Sequence, residues 1–197
     1  QNQELQEALT IQNEKMMEMA KEPKTINNYN TQNNYNIINV LNTKYKDAMT
    51  IDDFLASLEV TIDDLHRVRD QGFLHGVGAR LVKELKDMPE EDRPVHFSKK
   101  RLKEYFTKAM EGWVRDTKDN ENLNYLIKGA TNKHIEKLIQ YKNDIPEIIG
   151  SEDEYKNYQK TMMNIYKGLY DDDESKQIKN KIYKKLETLK LESLFTE

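Results

Sequence analysis

The sequence predicts a mainly α-helical chain with a small β element, an α+β class. A coiled-coil end and an Asn-rich oligomeric stalk, extended or β-type, precede the folded part. Three observations carry this. Only four prolines and seven glycines occur in 197 residues, so little interrupts a helix. Residues 26–43 repeat every three positions with Asn in the middle: Asn27, Asn30, Asn33, Asn36, Asn39 and Asn42. The string Thr-Ile-Asp-Asp-apolar occurs twice, at Thr50 and at Thr61, and reads as a capped helix start.

Composition bounds the class. Apolar residues make up 37% and charged residues 34%, with a mean hydropathy of −0.93. That is thin for a compact globule and suits a chain that buries surface against copies of itself. The net charge of −4 argues against a nucleic-acid clamp over the whole chain. There is no cysteine, hence no disulfide framework and no thiolate metal site. No apolar run reaches the roughly 20 residues a membrane span needs, so no membrane partner is expected. The start, Gln-Asn-Gln-Glu, reads as part of a longer protein.

Four segments follow in order. In 1–22, Leu5, Leu9, Gln12, Met16 and Met19 are spaced 4, 3, 4, 3, an a/d seam that Pro23 ends. The alternative is a single surface helix. In 23–46 lies the triplet tract. Its first positions are Ile26, Tyr29, Gln32, Tyr35, Ile38 and Leu41. A period of three matches neither helix nor strand, but an extended conformation with three residues per turn gathers the apolar residues on one face. Parallel copies would then stack Asn33, Asn36 and their like in ladders. A polar linker is the alternative. Leu5, Leu9, Met16, Met19, Ile26, Tyr29, Asn33, Tyr35, Asn36, Ile38 and Leu41 are the candidate assembly residues, with a homotrimer expected.

The third segment, 47–119, is read as helices plus a hairpin. The first helix buries Ile51, Phe54, Leu55 and Leu58. The second buries Ile62, Leu65 and Val68 and stops near Gly72. A third runs from about Gly76 to Asp87 with Val77, Leu81, Val82 and Leu85 inward. Arg93 to Phe97 reads as a short strand. Leu102–Lys108 and Trp113–Asp116 read as a hairpin around residues 109–112, with Tyr105, Phe106 and Trp113 packing across it. In the fourth segment, 120–197, a helix carries Leu123, Leu126, Ile127, Ala130, Ile135, Leu138 and Ile139. A second carries Tyr155, Tyr158, Met162, Ile165 and Leu169. A last one, opened by Asp171 to Glu174, carries Ile178, Ile182, Leu186 and Leu189.

No catalytic residue, metal site or cofactor is expected, and the chain reads as a non-enzyme. His66, His75, His96 and His134 are scattered, without the paired spacing of a zinc site. The carboxylate clusters Asp52-Asp53, Asp63-Asp64 and Asp171 to Asp173 each stand at a helix start, where capping accounts for them. The run Lys99-Lys100-Arg101, with Lys103 and Lys108, lies beside Tyr105, Phe106 and Trp113. Cations interleaved with aromatics can contact phosphates and stack bases, so these are the candidate nucleic-acid or partner contacts. The alternative is a solvated turn beside hairpin packing.

Certain strings resemble those of a family of proteins from giant nucleocytoplasmic DNA viruses. They are Ile-Asn-Asn-Tyr-Asn-Thr-Gln-Asn-Asn from Ile26, Asp47-Ala48-Met49-Thr50-Ile51-Asp52-Asp53-Phe54, Arg93-Pro94-Val95-His96, and Tyr105-Phe106-Thr107-Lys108 with Trp113 and Asp116. The resemblance covers roughly four fifths of the chain. It implies a C-terminal assembly and effector region following a coiled coil and a zinc-finger or other DNA-binding head. It implies partners that are copies of itself, DNA through that head, and a viral or host protein. It implies a place inside the infected cell, in the virus factory or nucleus, or in the virion. Family members commonly have Cys after the Arg-Pro-apolar-His string. Phe97 stands there in this chain, so no thiol role carries over. A virion structural protein, fibre-like or capsid-associated, is the alternative function.

Overall fold

The computed structural model describes residues 29–98, 104–145 and 151–186, with side chains from Ile37 onward. In chain order these form α1 (Tyr29–Lys44), α2 (Ile51–Ser57), α3 (Ile62–Gln71), α4 (Phe73–Asp87), a 3₁₀ turn (Glu90–Asp92), β1 (Val95–Ser98), β2 (Glu104–Ala109), β3 (Gly112–Arg115), α5 (Glu121–Asp144), α6 (Glu152–Leu169) and α7 (Asp172–Lys185). The molecule is mainly helical with one small antiparallel sheet, as predicted. The coiled-coil segment 1–22, with Leu5, Leu9, Met16 and Met19, lies outside the described residues, as does Ile26.

The repeated Thr-Ile-Asp-Asp string starts α2 and α3 where the sequence places them. Thr50 Oγ1 accepts the Asp53 amide at 3.0 Å, and the Thr50 amide reaches Asp53 Oδ2 at 3.3 Å. Thr61 and Asp64 repeat this capping box at 3.2 and 3.0 Å. Each box satisfies amides that a helix start would otherwise leave bare. The third acidic cluster works the same way: Asp171 Oδ1 accepts the amides of Asp173 and Glu174.

The central helix is α4, which packs against α3, α5, α6 and α7. Its buried face is Phe73, Val77, Leu81 and Leu85, spaced four apart. It begins at Phe73, earlier than the sequence suggested. Gly72, at φ 81, turns the chain directly from α3 into α4. Gly76 then lies against α3, where a Cβ would come within 2.7 Å of the Val68 Cα. Ile62, Ile139 and Tyr155, expected inward, are exposed instead. Each sits at the edge of its helix stripe.

A boundary at 119/120 does not appear. From Ile37 onward the described residues form one compact unit. One core cluster joins Phe54, Leu81 and Phe97 to Leu126, Ile165 and Ile182. The sheet runs β1-β2-β3, with His96 opposite Phe106 and Lys108 opposite Trp113. The hairpin turn is Met110-Glu111, because Ala109 already pairs with Gly112. Side chains alternate across a strand, so the sheet has two buried faces. Val95, Phe97 and Tyr105 join the helical core, with Phe97 edge-on to Tyr105 at 5.0 Å. Phe106 and Trp113 belong to a second, smaller cluster with Ile37, Leu41 and Ala48.

Asp116 joins the sheet to α5. Its amide donates to the Tyr105 carbonyl. Its carboxylate accepts the amides of Thr117, Asn122 and Leu123 at 2.8 to 3.0 Å. Asn120, left-handed at φ 55, turns the chain into the helix that Asp116 thereby caps.

Candidate functional site

The Asn tract is α-helical over its described part, not extended. In a helix each step of three residues falls about 60° short of a full turn, so the triplet's Asn and apolar positions spiral around it. No single Asn face arises. A different spacing decides which side docks. Ile37, Leu41, Tyr45 and Ala48 follow at 4, 4 and 3 residues, a helical stripe. Ile37, Leu41 and Ala48 are buried, Leu41 completely, and Ile38 and Tyr45 pack beside them. Leu41, expected to face other chains, is therefore enclosed by its own. Ile38 is partly buried, also against its own chain. Tyr29, Asn33, Tyr35 and Asn36 lie in the first part of α1, ahead of this dock.

Polar ties fix the end of α1 on the sheet. Asn42 Oδ1 accepts the Trp113 amide at 2.9 Å. Trp113 Nε1 donates to the Tyr45 carbonyl at 2.9 Å, so a helix-end carbonyl finds a partner. Lys108 Nζ donates to the Lys46 carbonyl at 2.9 Å. Tyr45 donates its hydroxyl to Glu90 at 3.2 Å. Gly112, at φ 134, brings β3 close to Asn42, and a Cβ there would lie 2.8 Å from Asn42 Oδ1.

His96 sits inside this dock. Its ring stacks on Tyr45, centroids 4.8 Å apart, and tilts against Trp113 at 5.0 Å. It is 3% exposed. Burial, with Arg93 nearby, pushes its pKa down to about 3, so the imidazole is neutral at neutral pH. Burial and the facing Glu90 push the Tyr45 hydroxyl up to about 12. His134 is a second buried histidine. Its Nδ1 meets the Ala130 carbonyl at 2.8 Å, and burial lowers its pKa.

The nucleic-acid contact set does not come together as a stacking surface. Tyr105 and Trp113 are buried, on opposite sheet faces, and offer no ring for a base. The Lys108 ammonium is bonded to α1's end. Lys99, Lys100, Arg101 and Lys103 lie outside the described residues. Among the described residues no group of three His, Asp or Glu side chains could hold a metal ion. No helix there is long and apolar enough to cross a membrane.

Comparison with family models, with curated proteins and with solved structures finds no match for this chain. Sequence reasoning missed Asn42, Tyr45 and His96 as a working group. The stripe Ile37, Leu41, Tyr45, Ala48 was the available signal, masked by the more conspicuous triplets.

Proposed function

We propose that this chain is a non-enzymatic oligomerisation and partner-binding region of a viral DNA-binding or regulatory protein. Its N-terminal segments assemble chains, as a trimer, and the unit after Ile37 is displayed for partners. One observation supports this above others: the end of α1, from Ile37 on, is part of the folded unit. The last two turns of α1 are packed and hydrogen-bonded onto the sheet through Leu41, Asn42 and Trp113. Chains joined upstream would present several folded units at once, which raises avidity for a repeated target.

Light scattering on the full chain tests the reading. A trimer is expected at about 10 μM, a concentration typical of moderately tight association. A monomer there would overturn it. Asn33→Asp with Asn36→Asp places like charges at the chain–chain contact and should dissociate the assembly. Recovery of the protein at high copy from purified virions would favour the structural alternative.

A further inference from the structure

We infer that the end of α1 is an acid-released strap: protonation of His96 frees residues 37–48 from the sheet and uncovers Phe106 and Trp113 while the helical core stays folded. The inference does not depend on assembly upstream.

The strap is separable from the rest. Ile37, Leu41 and Ala48 form a small cluster with Phe106 and Trp113, apart from the core that joins the other helices. Its polar ties are few. Asn42 holds the Trp113 amide, the Tyr45 carbonyl holds Trp113 Nε1, the Lys46 carbonyl holds Lys108 Nζ, and the Tyr45 hydroxyl reaches Glu90. A contact of this size opens locally, at less cost than a core.

His96 couples that opening to acid. The rings of Tyr45 on α1 and Trp113 on β3 enclose it, with centroids 4.8 and 5.0 Å away. Its Nε2 has no hydrogen-bond partner. An imidazolium carries an N–H on each nitrogen, so a protonated ring would bury a donor with no acceptor.

The charged groups around the ring do not relieve this. Arg93, just before β1, is a cation and opposes a second one. Glu90 and Glu91 of the 3₁₀ turn act on Tyr45 instead. Lys108 of β2 is turned onto the Lys46 carbonyl. Arg115 of β3 and Glu104 of β2, on the same sheet face, pair with each other at 2.7 Å. Phe106, opposite His96, carries no charge.

The direction follows. Once the strap lifts, the ring meets water and takes up a proton near the ordinary 6.5, whereas the docked ring resists down to about 3. The docked form is therefore fully favoured above about 6.5 and loses ground as pH falls toward the docked value.

Trp113 is the chain's single tryptophan, and its indole N–H donates to the Tyr45 carbonyl, so one resolved proton reports the strap. The test is native-state hydrogen exchange of that proton on the full chain at pH 7 and pH 5, corrected for intrinsic rates. The Leu81 amide, in the helical core, reports global opening. His134 lies in α5, so its protonation is read at Leu81 and not at the strap. The opening constant at Trp113 should exceed that at Leu81 at both pH values. It should rise about 25-fold from pH 7 to pH 5, as the docked and free protonation positions require. Carboxylates, near 4, stay mostly ionised over this range. His96→Phe keeps a ring in the stack and should bring the ratio to about one. Tyr45→Phe, which drops the Glu90 bond, should raise opening at both pH values and keep the ratio. Equal protection at Trp113 and Leu81, a wild-type ratio near one, or a ratio that survives His96→Phe would overturn the inference.

Discussion

The two faces of the sheet are held by different physics. Val95, Phe97 and Tyr105 enter a core built from helices with strong apolar spacing. Phe106 and Trp113 meet a helix with few apolar residues, and polar bonds complete the contact. The first face owes its strength to buried area, at roughly 25 cal/mol per Å². The second relies on a small cluster plus directional ties, each worth about 1 kcal/mol net. A dock of that kind opens more readily than a core and can be undone without unfolding the rest.

The largest test is to cut one large side chain from each face. Trp113→Ala and Phe97→Ala should each cost about 3–5 kcal/mol, the usual range for a buried aromatic. Their hydrogen-exchange patterns should differ. Trp113→Ala should speed exchange in α1 and leave α4 and α5 protected. Phe97→Ala should lower protection through α4, α5 and α7 together. Equal, global loss in both variants would mean the two faces form one cooperative unit.

Gly112→Ala comes next and touches only the second face. The backbone at φ 134 suits glycine, and a Cβ would press on Asn42 Oδ1. A cost of about 2 kcal/mol is expected, from strain of the size seen at such conformations. Thermal unfolding checks it. A neutral result would mean β3 can retreat from α1 without loss.

Acid sharpens the contrast further, because His96 belongs to the α1 face. Its pKa is about 3 folded and ordinarily near 6.5 unfolded, so the unfolded chain takes up the proton first. Stability is therefore whole above about 6.5, falls as pH drops below that, and stops falling on this account near the folded value. Between pH 7 and 5.5 the loss from His96 should be about 1 kcal/mol. His134, also lowered by burial, adds in the same direction from the helical core. Urea titrations at the two pH values measure the sum. His96→Phe should remove the His96 share, and an unchanged pH dependence would show that the ring is not neutral in the dock.

What the sequence made legible follows the same divide. The capping boxes at Thr50 and Thr61, the inward faces of α2 and α4, and the hairpin around Tyr105 and Trp113 were readable. Each depends on neighbours close in the chain. Asp116 as the cap of α5 was not readable, since it acts across a turn from outside the helix. The tract misled because its triplet period is real in the sequence but has no fixed face on a helix. The bonds that matter there join residues about 70 apart, such as Asn42 and Trp113, and nothing local announces them.

The smallest effect separates one Asn of the tract from its neighbour. Asn42→Ala removes the acceptor for the Trp113 amide and should cost about 1–2 kcal/mol, the penalty of a half-buried donor left bare. Asn39, one triplet earlier, is exposed, and its backbone carbonyl accepts the Thr43 hydroxyl. Asn39→Ala should stay within about 0.5 kcal/mol, and alanine's helix propensity makes a slight gain the expected sign. If both substitutions cost the same, the repeat itself contributes to stability and the Asn42 bond is incidental. If only Asn42 matters, the tract's regularity serves something other than the fold of the single chain.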